Sequence, residues 1–142
     1  MNDLQQWLNQ VQEDILEPDR AIVDPHHHLW KQSKIRNQYL AEDLWEDTNS
    51  GHRVEQTVFV QCRAEHLPDG PEMMRPLGET QFVVQAAAQT AAGPEGAARI
   101  SGIVSFADLM FGARIEEVLQ AHIEAGGGLF RGIRHQCSWD AS

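Results

Sequence analysis

The sequence lacks the features that mark several large classes of protein. Its two cysteines, Cys62 and Cys137, belong to no paired-cysteine metal motif. Lysine and arginine total 11 against 21 aspartates and glutamates, and the net charge of −10 argues against nucleic acid or an anionic membrane as a partner. No run approaches the roughly 18 apolar residues of a membrane helix, and the first residues lack an apolar signal core. We therefore expect a cytoplasmic protein.

A glycine-rich phosphate loop is also missing after the first predicted strand, which weighs against a nucleotide-binding doubly wound fold. The 142 residues instead show alternating helix and strand patterns. We predict helices over 3–16, 39–49, 79–91 and 115–125, and strands over 20–26, 57–62, 100–106 and 129–135. This alternation is typical of a parallel α/β sheet. We assign residues 1–19 to an N-terminal helix and lead-in, and 20–142 to the main domain.

The most informative segment is Ile-Val-Asp-Pro-His-His-His-Leu-Trp, at residues 22–30. In a strand, side chains two residues apart share a face, so Asp24, His26 and His28 should lie together and His27 opposite them. Two imidazoles on one face can share a metal ion or polarise a bound substrate, and Asp24 would orient the histidine strand. The alternative is a solvated histidine-rich turn. The internal position of the triplet argues against an expression tag.

An Asp-x-His-x-His motif at the end of a first strand resembles the amidohydrolase superfamily. The longer string at residues 23–30 is similar to the amidohydrolase-related branch that contains sugar lactonases and pyrone dicarboxylate lactonase. Three later segments, 57–61, 102–108 and 130–135, are similar to that branch in the same order. The resemblance thus covers residues 20–136.

The resemblance implies the N-terminal half of a (β/α)₈ TIM-barrel-like hydrolase, with its active site at the carboxyl ends of the strands. It implies that the catalytic His26 and His28 hold a divalent metal ion such as Zn²⁺ or, in a metal-independent member, the substrate carbonyl. Arg134 would bind a substrate carboxylate or polarise a lactone carbonyl, and His135 is a second substrate-binding candidate. Because strand side chains alternate, we expect only one of Arg131 and Arg134 to face the barrel interior.

The chain departs from this family in length. A complete barrel has roughly 250 residues, and this sequence supplies four predicted strands. The family's water-activating aspartate follows the last strand of the barrel, and Asp108, which follows the third strand, is not carried over to that role. We expect a truncated gene product, a split fragment, or a half-barrel that completes itself with a second copy.

Two functional hypotheses remain open at this point. The first is a hydrolase that opens a lactone or similar cyclic carboxylic ester by water attack at a carbonyl held by His26 and His28, inactive as this chain alone. The alternative is a non-catalytic, metal-binding or self-associating half-barrel module. Open strand edges and a bare inner face predict a homo-oligomer or pairing with a missing C-terminal half. The side chains expected on that inner face are Val23, Val58, Val60, Val104 and Ile133.

Overall fold

The structure is a computed structural model that describes residues 3–8, 10–11 and 13–139. The helices are α1 (Asp3–Leu8), α2 (Ala41–Thr48), α3 (Leu77–Ala91) and α4 (Ile115–Ala125), and the strands are β1 (Ile22–His27), β2 (Val54–Val60), β3 (Arg99–Ser105) and β4 (Phe130–Ile133). The strands form one parallel sheet in the order β1-β2-β3-β4, which confirms the predicted parallel α/β sheet. None of the described helices is long and apolar enough to span a membrane.

The first helix is shorter than the sequence pattern predicts. We expected a helix over 3–16, but α1 ends at Leu8, while Asn9 and Gln12 lie outside the described residues. The apolar side chains Trp7 and Val11 are 65% and 69% exposed. A short amphipathic helix in water depends on packing its apolar face against the rest of the protein. Trp7 and Val11 have the apolar pattern of such a helix but lack that packing.

Helices α2, α3 and α4 pack against one face of the sheet, which we call the helix face. Its main hydrophobic cluster consists of Leu29, Leu44, Phe59, Val83, Ala86, Ala87, Ile100 and Ile103. A second cluster of Met73, Ala107 and Val118, with Ile133 packed against it, lies beside α4. Strand residues on this face are nearly all buried, because each crossover helix returns over the same side.

An extra residue in β1 changes which of its side chains share a face. Asp24 pairs with Thr57 and His27 pairs with Phe59, so three steps along β1 match two steps along β2. Such a bulge places Asp24 and His27 on the same side, the helix face. The prediction that Asp24 shares a strand face with His26 and His28 is therefore wrong. Proline in a strand often marks a bulge because it has no N–H for the ladder, and Pro25 is the residue that follows Asp24.

A second irregularity in β4 overturns the alternation expected for its two arginines. Phe130 pairs with Ile103 and Gly132 with Val104, so β4 contains one extra residue. The Cγ of Arg131 lies 3.4 Å from the position that a Cβ on Gly102 would occupy, which places Arg131 on the face opposite the helices. Arg134 reaches that same face.

The face opposite the helices, here called the open face, includes Val23, Val58, Val104 and Arg131. Val23 is 55% exposed, and Val58 and Val104 are half-buried. Val60 also lies here but is buried. Ile133, which we expected on this face, instead packs against the second cluster on the helix face because of the β4 irregularity. The four strands thus have one covered face and one uncovered face.

Candidate functional site

The two predicted site histidines meet at the carboxyl end of β1. Their ring centroids are 4.8 Å apart with the planes almost perpendicular. His28 Nδ1 donates a hydrogen bond of 2.7 Å to the carbonyl oxygen of Val60, at the end of the neighbouring strand. A carbonyl can only accept, so this bond assigns the proton to Nδ1 and leaves Nε2 as the accepting nitrogen of the neutral ring. The ring is therefore fixed in one orientation and one tautomer.

Arg134 reaches across the sheet to these histidines from the end of β4. Its backbone N–H continues the ladder to the carbonyl of Ser105 at 2.8 Å. Its Nη2 donates to the Gln61 carbonyl at 2.5 Å, and its Nη1 lies 3.5 Å from His26 Nε2. The end of β2 thus provides the backbone oxygens that orient both the arginine and His28. Residues from β1, β2 and β4 come together although they are far apart in the sequence.

His27 is separate from this group, as the sequence predicted. It is 7% exposed, and its ring packs edge-on against Phe59 on the helix face, with centroids 5.8 Å apart. Burial lowers the pKa of His27 to about 4, because the apolar surroundings disfavour the charged imidazolium. Neither ring nitrogen has a hydrogen-bond partner among the described residues. His27 is therefore a neutral side chain that packs on the helix face, apart from the His26–His28 pair.

The other candidates lie at the margin of the site or outside it. Asp24 Oδ1 accepts a 3.0 Å bond from the backbone N–H of His26, so Asp24 contacts the histidine strand through the backbone only. His135 Nδ1 accepts a 3.0 Å bond from the N–H of Leu109. Arg131 donates to the carbonyls of Gly128, Phe130 and Ser101. The structure therefore brings together His26, His28 and Arg134, and does not bring Arg131 to them.

An open cavity of about 480 Å³ adjoins this end of β1. Its lining joins His26 and His28 to Asp24, His27, Trp30, Tyr39 and Asp47. The Trp30 and Tyr39 rings stack with centroids 5.4 Å apart, which gives the cavity a flat aromatic wall. Small-molecule sites combine such apolar walls with a few polar groups, and a cavity of this size accepts a small ring compound.

Two imidazoles by themselves do not fit a resident zinc site. Within the described part of the chain, no three His, Cys, Asp or Glu side chains are grouped to hold a metal ion. Stable zinc sites generally use three or four protein ligands. The guanidinium of Arg134 also lies 3.5 Å from His26 Nε2, where it would repel a cation bound to that nitrogen. Of these groups, Arg134 can donate to a carbonyl or carboxylate oxygen, whereas Nε2 of the neutral His28 ring can only accept.

Sequence reasoning missed Glu79, a buried acid close to the site. Glu79 lies in the first turn of α3 and is only 1% exposed. Its Oε1 accepts hydrogen bonds from the backbone N–H groups of Cys62 at 2.9 Å and Ala64 at 2.8 Å. Burial raises the pKa of this carboxyl, and the two N–H donors oppose that rise. Nothing in the sequence pattern indicates these contacts, because they join α3 to the loop after β2.

Comparison with known proteins does not extend the motif argument. No protein-family model matches the chain, and neither a curated protein nor a solved structure matches it. The amidohydrolase resemblance therefore rests on the sequence strings around the histidines and remains a prediction.

Proposed function

We propose that this chain supplies four strands of an amidohydrolase-related (β/α)₈ hydrolase that opens a lactone or similar cyclic carboxylic ester. The supporting observation is that His26, His28 and Arg134 converge at the carboxyl end of a parallel sheet. Active sites of (β/α)₈ barrels lie at this end of the strands. The sheet order is also that of four consecutive barrel strands.

The proposed roles follow from the hydrogen-bonding capacity of each group. Arg134 binds a carboxylate of the substrate or the oxygen on which negative charge develops when water attacks the carbonyl. The resemblance assigns the reacting carbonyl to His26 and His28, which can donate to its oxygen only from a ring nitrogen that carries a proton. Asp108 is not assigned the role of base, because it follows the third strand and its Oδ1 already accepts the N–H of Met110. The water-activating carboxylate must come from strands that complete the barrel.

Metal-independent binding of the substrate is the form of this proposal that the site favours, because Arg134 can bind a substrate oxygen without a metal ion. A divalent metal ion such as Zn²⁺ would need ligands from the completing strands in addition to His26 and His28. When bound, such an ion would polarise the carbonyl and lower the pKa of a water molecule. Arg134 would then still orient the substrate.

The uncovered open face supports a second candidate function, a self-associating half-barrel module without catalysis. Val23 is 55% exposed on this face, and β1 and β4 are the two edges of the sheet. Exposed edges and apolar surface favour association with another chain. A second copy, or a separate C-terminal half, would cover this face in either function.

Binding of a lactone carboxylate tests the catalytic proposal without requiring turnover. We expect 2-pyrone-4,6-dicarboxylate to cause saturable NMR shifts of the His26 and His28 ring signals. Arg134→Gln should raise the apparent Kd at least about tenfold, since charge-assisted hydrogen bonds contribute roughly 1.5–3 kcal/mol. Arg131→Gln is the matched control, because Arg131 lies on the same strand and face but binds only backbone carbonyls. Equal loss in both variants, or no saturable shift, would contradict the proposal.

The same titration with Zn²⁺ separates the metal-dependent and metal-independent forms. We expect weak binding that disappears in the double variant His26→Ala with His28→Ala and persists in His27→Leu, since His27 is buried away from the pair. Hydrolysis by the purified chain should not exceed that of buffer. Tight zinc binding together with turnover would overturn the metal-independent form.

A further inference from the structure

The loop that follows β2 has a conformation that its own residues do not favour. Arg63 and Glu65 have φ angles of 64° and 51°, so two non-glycine residues in the left-handed region flank Ala64. Left-handed backbone is unfavourable for residues with a Cβ and persists only where the surroundings hold it. Something outside the loop must therefore fix this backbone.

Glu79 is the group that binds this strained stretch. Its Oε1 accepts the N–H groups of Cys62 and Ala64, and the whole side chain is 1% exposed. Charge-assisted bonds to a buried carboxylate are stronger than ordinary backbone hydrogen bonds. The helix also approaches the loop closely, since a Cβ on Gly78 would lie 2.3 Å from the Glu65 carbonyl oxygen. The start of α3 thus contacts the loop both before and after Ala64.

The residues just before this stretch orient the proposed site. The carbonyl of Val60 accepts from His28 Nδ1 at 2.7 Å, and the carbonyl of Gln61 accepts from Arg134 Nη2 at 2.5 Å. The next residue, Cys62, donates its N–H to Glu79. Three consecutive residues therefore connect His28, Arg134 and Glu79. A change in the peptide plane at Cys62 would rotate the Gln61 carbonyl directly, because both belong to one planar unit.

We propose that Glu79 is a positioning residue of the site, which holds the end of β2 so that its two carbonyls orient His28 and Arg134. Its place in a reaction rests on the proposed function. Its effect on His28 is a property of the fold and can be measured without substrate. Glu79 itself is buried behind the loop and does not touch the substrate.

The experiment follows the His28 ring and the backbone of the loop by ¹⁵N NMR in the full chain. In the native protein we expect one His28 tautomer with the proton on Nδ1, and downfield amide signals for Cys62 and Ala64. Glu79→Leu removes the acceptor, so His28 should lose its single-tautomer signal and both amides should move upfield. Glu79→Gln retains an acceptor oxygen without charge, so the amides should move partway while the His28 tautomer is retained.

Thr90→Val is the matched control in the same helix. Thr90 is also 1% exposed and also accepts a backbone N–H, that of Ile100, but it lies at the other end of α3. The Thr90→Val variant should have a lower free energy of unfolding but unaltered His28 signals. An unchanged His28 in folded Glu79→Leu, or an equal change in Thr90→Val, would overturn the proposal.

Two further outcomes are decisive. Should Glu79→Leu fail to fold, Glu79→Gln decides, and unshifted Cys62 and Ala64 amides in that variant would overturn the proposal. A predicted His28 response together with no binding of 2-pyrone-4,6-dicarboxylate would refute the proposed function and support Glu79 as a positioning residue. Binding of 2-pyrone-4,6-dicarboxylate without the predicted His28 response would refute the role of Glu79 alone.

Discussion

The two faces of the sheet differ in what their side chains do. On the helix face, Thr57, Phe59 and Ile103 are completely buried beneath the helices. On the open face, Val58 is half-buried and Val23 is 55% exposed. Burial of apolar side chains is the main favourable term in folding, so the helix face determines stability. The open face contributes less to stability and leaves side chains available to a ligand or a partner.

Polar side chains on the helix face are also buried, and they form hydrogen bonds within the fold. His122 is fully buried, donates from Nε2 to the Phe106 carbonyl at 3.0 Å and accepts at Nδ1 from Thr80 Oγ1 at 2.9 Å. Thr80 Oγ1 in turn accepts from Ser105 Oγ at 2.7 Å. Burial lowers the pKa of His122, in keeping with the neutral tautomer that these bonds require. This face therefore uses histidine as a structural group, whereas at the end of β1 His26 is exposed and His28 is half-buried.

The largest expected effect on stability comes from two adjacent residues of β2, one on each face of the sheet. Phe59→Ala should lower the free energy of unfolding by about 3–5 kcal/mol, because it leaves a cavity in the main cluster. Val58→Ala, one residue earlier and on the open face, should cost about 1 kcal/mol, since its side chain is only half-buried. Urea denaturation followed by circular dichroism measures both. Similar losses for the two variants would show that the open face is covered in solution.

The next largest effect is a loss of stability in acid caused by His27. Its pKa falls from 6.5 in the unfolded chain to about 4 in the folded protein, so only the unfolded state gains the proton between these values. Stability from this group is complete above pH 6.5, decreases as the pH falls toward 4, and changes no further below that. The full difference corresponds to roughly 3 kcal/mol.

His27→Leu should remove this contribution, because leucine has no group that takes up a proton. We expect the unfolding free energy of the variant to fall less than that of the native protein between pH 6.5 and 4. His52→Leu serves as a control, since His52 is exposed at the other end of the sheet. An unchanged pH dependence in His27→Leu would mean that water reaches the His27 ring in the folded protein.

The residues that sequence reasoning placed correctly are those governed by local repetition. Short apolar segments predicted all four strands, and the two-residue spacing correctly separated His27 from His26 and His28. The same spacing failed at the extra residues after Asp24 in β1 and before Gly132 in β4. Pro25 and Gly132 were available as signals, because proline and glycine within strands often mark such irregularities. A prediction that included them would have moved Asp24 to the helix face.

Other features depend on contacts between distant residues and could not be predicted from local pattern. The apolar face of the segment 3–16 predicts a helix, yet helix formation there depends on a packing partner that the sequence does not reveal. Glu79 is similar, since a glutamate in the first turn of a helix is usually solvated. Its bonds to Cys62 and Ala64 exist only because α3 returns against the end of β2.

The smallest expected effect concerns association through the open face. Val23 and Ile123 are almost equally exposed, at 55% and 53%, but Val23 lies on the open face and Ile123 on the outer surface of α4. We expect the native protein to form dimers or larger assemblies at micromolar concentration. Burying the exposed part of Val23 in two copies contributes roughly 1–2 kcal/mol, so Val23→Glu should weaken association by about tenfold or more.

Light scattering coupled to size-exclusion chromatography measures this difference. Ile123→Glu adds the same charge to a protein whose net charge is already −10, so general repulsion affects both variants equally. Only Val23→Glu should shift the assembly toward monomer. A monodisperse, cooperatively melting native monomer that binds no hydrophobic dye would contradict the half-barrel proposal, because its open face would then need no second layer. In that case the four strands form a self-contained α/β domain, and the histidine pair acts at its surface.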